Sequence, residues 1–248
     1  TKAGLAPLHA WLPDAYSQAP APVSAVLSGG LSTCAVYGIL RFVAVASPSV
    51  GPELPRLLLV GFGLMSLAVA VPFLLVQRDV NRLLAYSSVE HVGVSALAFG
   101  IGGPAGIYAG LLHLLNHALV KTFLFLLTGH VVQQFGTRRI AGIRGLLTVA
   151  PLTGTLFLTG ALASVGMPPM SIFVSEFGMA AAGAEQALWL PVAAAMTLLA
   201  VAFVAIVNHV ARMTFGPADP QAPHALPLPG LQRVALGERD RESGRWLE

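Results

Sequence analysis

One apolar stretch of the sequence carries three ionisable residues at a spacing that could pass protons. His113, His117 and Lys121 lie four residues apart, so in a helix they share one face, about 6 Å apart along the axis. The surrounding segment, residues 106–135, contains no carboxylate and is long enough to cross a bilayer as a helix. Titratable groups inside such a helix are costly and indicate a proton or ion pathway.

For the two histidines the alternatives are a metal site and ordinary packing hydrogen bonds, and for Lys121 the alternative is a structural ion pair. His113 and His117 would supply two zinc ligands, but Lys121, next on that face, is a poor third ligand. The pattern therefore predicts that these residues do not form a metal site. Lys2 and Lys121 are the only lysines, and a lysine, unlike an arginine, can release its proton when it is buried. This favours proton transfer over a structural pair.

Glu176 is the only acid between Glu90 and Glu185, and it follows the pair Pro168–Pro169. Proline interrupts a helix, and interrupted membrane helices often hold ions because their freed backbone groups must face protein or water. We therefore expect a proton or cation site at Glu176. The alternative is a structural pair with a cation from another helix.

Glu90 and His91 leave two interpretations open. They could extend the relay, or they could be interfacial residues held by Arg78 and Arg82, which precede them in the same segment. Each would be an accessory to the main line of residues.

Two further histidines, His130 and His209, are expected near helix ends, where they could admit protons. His9 and Asp14 lie in a Pro-containing segment and are interpreted as residues that order a loop.

Composition places these residues in a membrane protein. Hydrophobic residues make up 55% of the chain and charged residues 10%, against about 25% charged in soluble domains. The single cysteine, Cys34, allows no disulfide framework. No nucleotide fingerprint, phosphate loop, nucleophile triad or basic–aromatic patch is present, so we predict no cofactor and no nucleic-acid partner, and we leave open whether the chain is part of an enzyme.

The hydropathy pattern predicts an all-α bundle of about six membrane spans, one or two of them broken. Residues 1–20 are interpreted as the end of a further span followed by a loop, with the protein's N-terminal part missing. Residues 1–216 would form the transmembrane domain, and the Pro-rich, charged residues 217–248 a disordered tail. The predicted spans are residues 21–46, 54–76, 80–101, 105–134, 146–184 (broken at the prolines) and 187–213.

The arginines predict the orientation of the bundle. Alternating spans bring six arginines to one side and leave Arg41 and Arg56 on the other. By the positive-inside rule the first side, with the C-terminal tail, is cytoplasmic. The six are Arg78, Arg82, Arg138, Arg139, Arg144 and Arg212.

Four motifs in order resemble one family. TKAGLAPLHAWLPDAYSQAPAPVSAVLSG, RLLAYSSVEHVG, LLHLLNHALVKTFLFLLTG and GMPPMSIFVSEF are similar to motifs of the antiporter-like membrane subunits. These subunits occur in respiratory complex I, multi-subunit sodium/proton antiporters and membrane-bound hydrogenases. The resemblance covers roughly residues 1–216, and SSVEH, GTRRIAGIRGL and Glu176 resemble the hydrogenase-4 component F type most.

The resemblance implies a fourteen-helix fold with two inverted five-helix repeats, of which this chain would hold the end of the seventh helix through the thirteenth. It implies a proton pathway in which Lys2 is the lysine of the broken seventh helix. His113, His117 and Lys121 would lie on the central axis, and Glu176 would end it in the broken twelfth helix.

Thr33 departs from the family pattern. Many relatives carry a lysine at the matching position, whereas threonine can hydrogen-bond a water but cannot hold a proton for transfer. Either water bridges Lys2 to His113, or this subunit conducts poorly. The glutamate that pairs with the Lys2 position in the family lies outside this sequence, so the chain alone should not pump.

The resulting functional hypothesis is a proton-translocating subunit of a redox-driven complex, hydrogenase-like or NADH:quinone oxidoreductase-like, in a prokaryotic inner membrane. Its partners would be the other membrane subunits, the lipid bilayer and protons. A sodium/proton antiporter subunit and a non-conducting membrane anchor of such a complex remain as alternatives.

Overall fold

A computed structural model describes residues 1–217, which are built from α-helices joined by short connections. The tail predicted for residues 217–248 lies outside this part of the chain, apart from its first residue. The helices are α1 (Trp11–Gln18), α2 (Ala21–Val26), α3 (Ser32–Val50), α4 (Glu53–Val76), α5 (Val80–Ile101), α6 (Gly103–Phe135), α7 (Leu146–Val149), α8 (Pro151–Ser164), α9 (Ser171–Glu185) and α10 (Trp189–Phe215).

Five continuous helical stretches in the described residues are long and apolar enough to cross a membrane. They agree with five of the predicted spans to within four residues at each end. These stretches are Ala21–Val50, Glu53–Val76, Val80–Ile101, Gly103–Phe135 and Trp189–Phe215. The all-helical, multi-pass fold predicted from composition is confirmed.

The remaining predicted span, residues 146–184, is broken, as expected from its prolines. It divides into the single turn α7 and the helices α8 and α9, of 14 and 15 residues. Neither is long enough to cross a bilayer alone. Pro168 and Pro169 lie in the connection between them, because a proline cannot donate the hydrogen bond that would continue the helix.

The N-terminal residues contain turns and one short helix. Residues 1–10 hold no helix, α1 follows them, and the further span expected to end in this segment stays a prediction. The Tyr16 hydroxyl of α1 donates to the Leu27 carbonyl (2.9 Å) and shares a second hydrogen bond with Ser32 (2.6 Å). Burial raises the pKa of Tyr16 to about 12, so this anchor stays neutral at physiological pH.

Helix α5 lies at the centre of the bundle. Every residue from Leu83 to Ile101 is buried. Its closest neighbour is α4, where a β-carbon added at Gly63 would lie 2.8 Å from the Gly93 carbonyl oxygen and one at Gly93 would lie 2.9 Å from that of Gly63. The two backbones can meet only because both positions are glycine.

The arginine-rich side of the bundle is held by specific contacts. Arg82 pairs with Asp14 at 3.2 Å, and Arg138 donates to the Ser17 carbonyl at 2.7 Å. Asp79 and Arg139 form an isolated antiparallel bridge. Asp14 lies in helix α1 and not in the loop that was expected, and its ion pair ties α1 to the start of α5. The connections after α4 and α6 meet on the same side of the bundle.

A buried ionisable cluster between α5, α6 and α9

Helix α6 turns its three predicted residues inward. His113, His117 and Lys121 are all at most 1% exposed. The opposite face of the same helix carries exposed leucines, Leu115 and Leu119 among them, which is the surface that lipid would cover.

Helix α5 adds Glu90 and His91 to this interior. Both are buried, so the interpretation of them as interfacial residues held by Arg78 and Arg82 is wrong. The physical reason is that α5 is enclosed by its neighbours from Leu83 onward, while Arg82 pairs with Asp14 instead.

A chain of hydrogen bonds joins three helices. His91 Nδ1 and His113 Nε2 are 3.1 Å apart, so one of these nitrogens donates to the other. The second nitrogen of His113, Nδ1, lies 2.9 Å from Ser175 Oγ on α9. The His117 ring stacks at a tilt beside His91, with centroids 5.4 Å apart. Imidazole nitrogens that face each other in this way can pass a proton by exchanging donor and acceptor roles.

Lys121 lies at the other end of the cluster. Its ammonium donates to the Ser87 hydroxyl, and its main electrostatic partner is Glu90. Glu90 Oε2 is buried without a hydrogen-bond partner among the described residues. A buried carboxylate oxygen left unpaired is costly, and Glu90 is coupled to both Lys121 and Glu176.

Glu176 closes the line on the side of the broken helix. It is 8% exposed and follows Ser175 directly. Gly166, at φ +67°, stands against its carboxylate, and a β-carbon there would collide with Oε2. Asn116 of α6 donates to the Ser171 carbonyl at 2.8 Å, which fixes the start of α9 on α6.

Not every predicted residue joins this cluster. Lys2 is exposed in the N-terminal turns, and its place on the pathway stays a prediction. The Thr33 hydroxyl is buried without a hydrogen-bond partner among residues 1–217. His130 is half-buried, and His209 is buried on α10 with Nε2 3.1 Å from the Leu74 carbonyl oxygen.

The cluster also has a spacing that a metal ion could use. One nitrogen or oxygen atom from each of His91, His113 and Glu176 lies within 4.8 Å of the others. The two histidines are already hydrogen-bonded to each other through His91 Nδ1 and His113 Nε2. This geometry allows a proton to be shared between the two rings, and a metal ion could bind only if this hydrogen bond were broken.

The uncharged members of the site were not found from the sequence. They are three residues that link ionisable groups or helices: Ser87, Ser175 and Asn116. A further link is the 3.0 Å hydrogen bond between Ser28 and Ser88. Serine and asparagine are common in membrane helices for packing reasons. The one available signal is the position of Ser175 directly before Glu176.

Comparison with known proteins is consistent with this architecture. Residues 1–203 match the family described as NADH:quinone oxidoreductase/Mrp antiporter, TM. The chain is 40% identical over 238 residues to a protein named hydrogenase-4 component F homolog from Methylacidiphilum infernorum, covering 95% of this chain and 50% of that protein. It is 34% identical over 239 residues to NADH-quinone oxidoreductase subunit N from Desulforudis audaxviator, covering 95% and 48%.

Solved structures show the same fold. A chain of the archaeal membrane-bound sulfane sulfur reductase superposes with a TM-score of 0.82 at 33% identity, covering 88% of this chain and 45% of that one. A chain of the Mrp complex from Dietzia sp. DQ12-45-1b also gives 0.82, at 25% identity, covering 90% and 41%. The chain thus spans about half the length of the relatives it matches. By its motifs, its sequence match and its fold, it belongs to the NADH:quinone oxidoreductase/Mrp antiporter family of membrane subunits.

Proposed function

We propose that this chain forms the proton-conducting half of a membrane subunit in a redox-driven complex. The relatives' names point to hydrogenase and NADH-quinone oxidoreductase complexes, so the partners would be the other membrane subunits of such an assembly. The arginine-rich side would face the cytoplasm of a prokaryotic cell.

The observation that carries this proposal is the row of buried ionisable side chains between α5, α6 and α9. It runs from Lys121 to Glu90, then through His91 and His113 to Glu176, with His117 beside the two imidazoles. These six side chains are at most 8% exposed. Ion pairs do not explain their burial, since the two ion pairs found within residues 1–217 both lie elsewhere.

Coupling along such a line has a useful size. Two unit charges about 7 Å apart interact by roughly 2 kcal/mol at an effective dielectric constant near 20. That free energy changes the proton affinity of a neighbouring group by more than tenfold. A charge that arrives at Lys121 therefore disfavours a second charge next to it, and protons advance in steps.

The deciding experiment replaces Lys121 in the complete subunit, assembled in its complex and reconstituted in vesicles. We expect Lys121→Ala and Lys121→Arg both to lower proton uptake below about a tenth, because alanine holds no proton and arginine releases none. Leu119→Ala, on the lipid-facing side of the same helix, serves as the control. Unchanged uptake in Lys121→Ala with normal assembly would refute the proposal.

The same assay separates the alternatives. Proton flux that requires sodium would favour a sodium/proton antiporter subunit, as in the Mrp complex that shares the fold. A chain that shows no flux until Thr33→Lys is introduced would instead be a membrane anchor with an interrupted axis.

A further inference from the structure

We infer that a cavity on the arginine-rich side binds the phosphate group of an anionic phospholipid. This arginine pocket has a volume of about 560 Å³, and its charged lining consists of Arg78, Arg139, Arg144 and Arg212, with His209 at the wall. It lies apart from the ionisable cluster and takes no part in the proposed proton path.

The charge of the arginine pocket is uncompensated within residues 1–217. All four arginines are exposed, and none belongs to either ion pair found in this part of the chain. Asp79, the acid nearest in sequence, caps α5 by accepting from the Arg82 amide at 3.0 Å. A planar guanidinium group can donate two parallel hydrogen bonds to two oxygens of one phosphate. Four such groups around one cavity therefore favour a phosphate over a halide, which offers a single acceptor atom.

The position of the pocket points to a lipid. Arg78 comes two residues after α4, Arg139 four residues after α6, and Arg212 lies in the last turn of α10, so the ends of three spanning helices surround the cavity. This is the depth at which lipid headgroups lie. Val76, which directly precedes the lining residue Gln77 at the end of α4, is 71% exposed and offers an apolar surface to an acyl chain. Basic pockets between such helix ends are typical headgroup sites.

The walls of the pocket are fixed before any ligand arrives. The Ile140 amide donates to the Arg78 carbonyl at 2.9 Å, which ties the α4–α5 connection to the segment after α6. His209 Nε2 lies 3.1 Å from the Leu74 carbonyl oxygen and joins α10 to α4. Arg144 Nε donates to the Ala141 carbonyl at 3.1 Å, which orients this guanidinium group at the pocket. Preorganised donors bind an anion without a large ordering cost.

The experiment measures lipid affinity of the full chain by native mass spectrometry in detergent, with phosphatidylglycerol, phosphatidylcholine and inorganic phosphate as probes. Phosphatidylglycerol should bind at least tenfold more tightly than phosphatidylcholine. Arg212→Gln should weaken it about fivefold, and Arg139→Gln combined with Arg212→Gln about twentyfold, as expected for about 1 kcal/mol per arginine. The control Arg41→Gln, also an exposed arginine on a spanning helix, should change the affinity less than twofold.

Three outcomes would overturn the inference. These are equal affinity for the two lipids, equal weakening by Arg41→Gln and Arg212→Gln, or inorganic phosphate binding as tightly as phosphatidylglycerol, which would make the site a free-phosphate site. Helical content from circular dichroism verifies that each variant is folded. Because proton flux is not measured, the result is independent of the proposed transport.

Discussion

The two helices that carry the ionisable cluster, α5 and α6, are built in opposite ways. Helix α6 has one buried face with His113, His117 and Lys121 and another face exposed to the surroundings. Helix α5 is buried on all sides from Leu83 to Ile101. Its residues therefore have protein neighbours on every side, whereas the ionisable residues of α6 share one face.

This difference assigns the two helices different tasks. The residues of α6 form a line at constant spacing, and neighbouring helices connect its members to other groups. On α5, Ser87 accepts from Lys121, Glu90 interacts electrostatically with Lys121, and His91 hydrogen-bonds His113. On α9, Ser175 hydrogen-bonds the other ring nitrogen of His113. A regular row of charges is thus not yet a pathway, and the enclosed helix closes the gaps between its members.

Glu90 gives the largest expected effect and tests whether α5 is as necessary as α6. Glu90→Gln keeps the size of the side chain but removes its charge and its capacity to cycle a proton. We expect proton uptake in the reconstituted complex to fall at least tenfold, as in Lys121→Ala. Glu53→Gln, an exposed acid at the start of α4, is the matched control. Near-normal uptake in Glu90→Gln would place the pathway on α6 alone.

The enclosure of α5 can be broken at its contact with α4. A β-carbon at position 63 would lie less than 3 Å from the α5 backbone, so Gly63→Val creates a steric clash. A β-carbon at Gly61 in the same helix would have no atom within 4 Å. We expect Gly63→Val to lower the free energy of unfolding by about 1–3 kcal/mol, and Gly61→Val to leave it nearly unchanged. Thermal unfolding in detergent compares the two, and equal losses would show that the close contact is not what holds α5.

Ser175 tests the link from α6 to the broken helix. Ser175→Ala removes the hydroxyl that hydrogen-bonds His113 Nδ1, a contact worth about 1 kcal/mol. We expect a decrease in proton uptake of roughly fivefold, smaller than for Glu90→Gln, since no titratable group is lost. Thr197→Ala serves as the control, because its exposed hydroxyl only bonds its own helix. A Ser175→Ala variant with full uptake would mean that His113 passes protons without α9.

Asp14 should give the smallest effect. Its pair with Arg82 fixes the start of α5, but both side chains are substantially exposed, at 69% and 40%, and such pairs contribute at most about 1 kcal/mol. Asp14→Asn should therefore lower the unfolding temperature slightly, with the difference vanishing at high salt. A loss that persists in high salt would indicate that Asp14 acts through something other than its charge.

The sequence alone was sufficient to predict the membrane-spanning helices and the ionisable face of α6. Long apolar runs bounded by glycine, proline and charge set the spans, and a four-residue spacing places His113 and Lys121 on one side of any helix. The break at Pro168 and Pro169 followed from the missing amide donor. These are local properties, and each is determined by residues close together in the chain.

The remainder of the site depends on which helices meet. Glu90 and Lys121 are 31 residues apart, and His113 and Ser175 are 62 apart, so no local pattern brings them together. Arg78 and Arg82 precede Glu90 and His91 in the same segment and suggested an interfacial position, which left these two residues ambiguous. Tertiary packing decided in favour of the interior, through glycine contacts whose partners the sequence did not reveal.

One irregularity in the predicted span of residues 21–46 has a mechanical consequence. Residues Leu27–Leu31 form a single π-helical turn between α2 and α3, which accommodates one residue more than a regular turn and so rotates all that follows by about 100°. Ser32 meets Tyr16 only with this rotation in place, and Thr33 inherits its buried orientation from it. If this π-helical turn became a regular α-helical turn, the Ser32 and Thr33 hydroxyls would both move to another side of the helix.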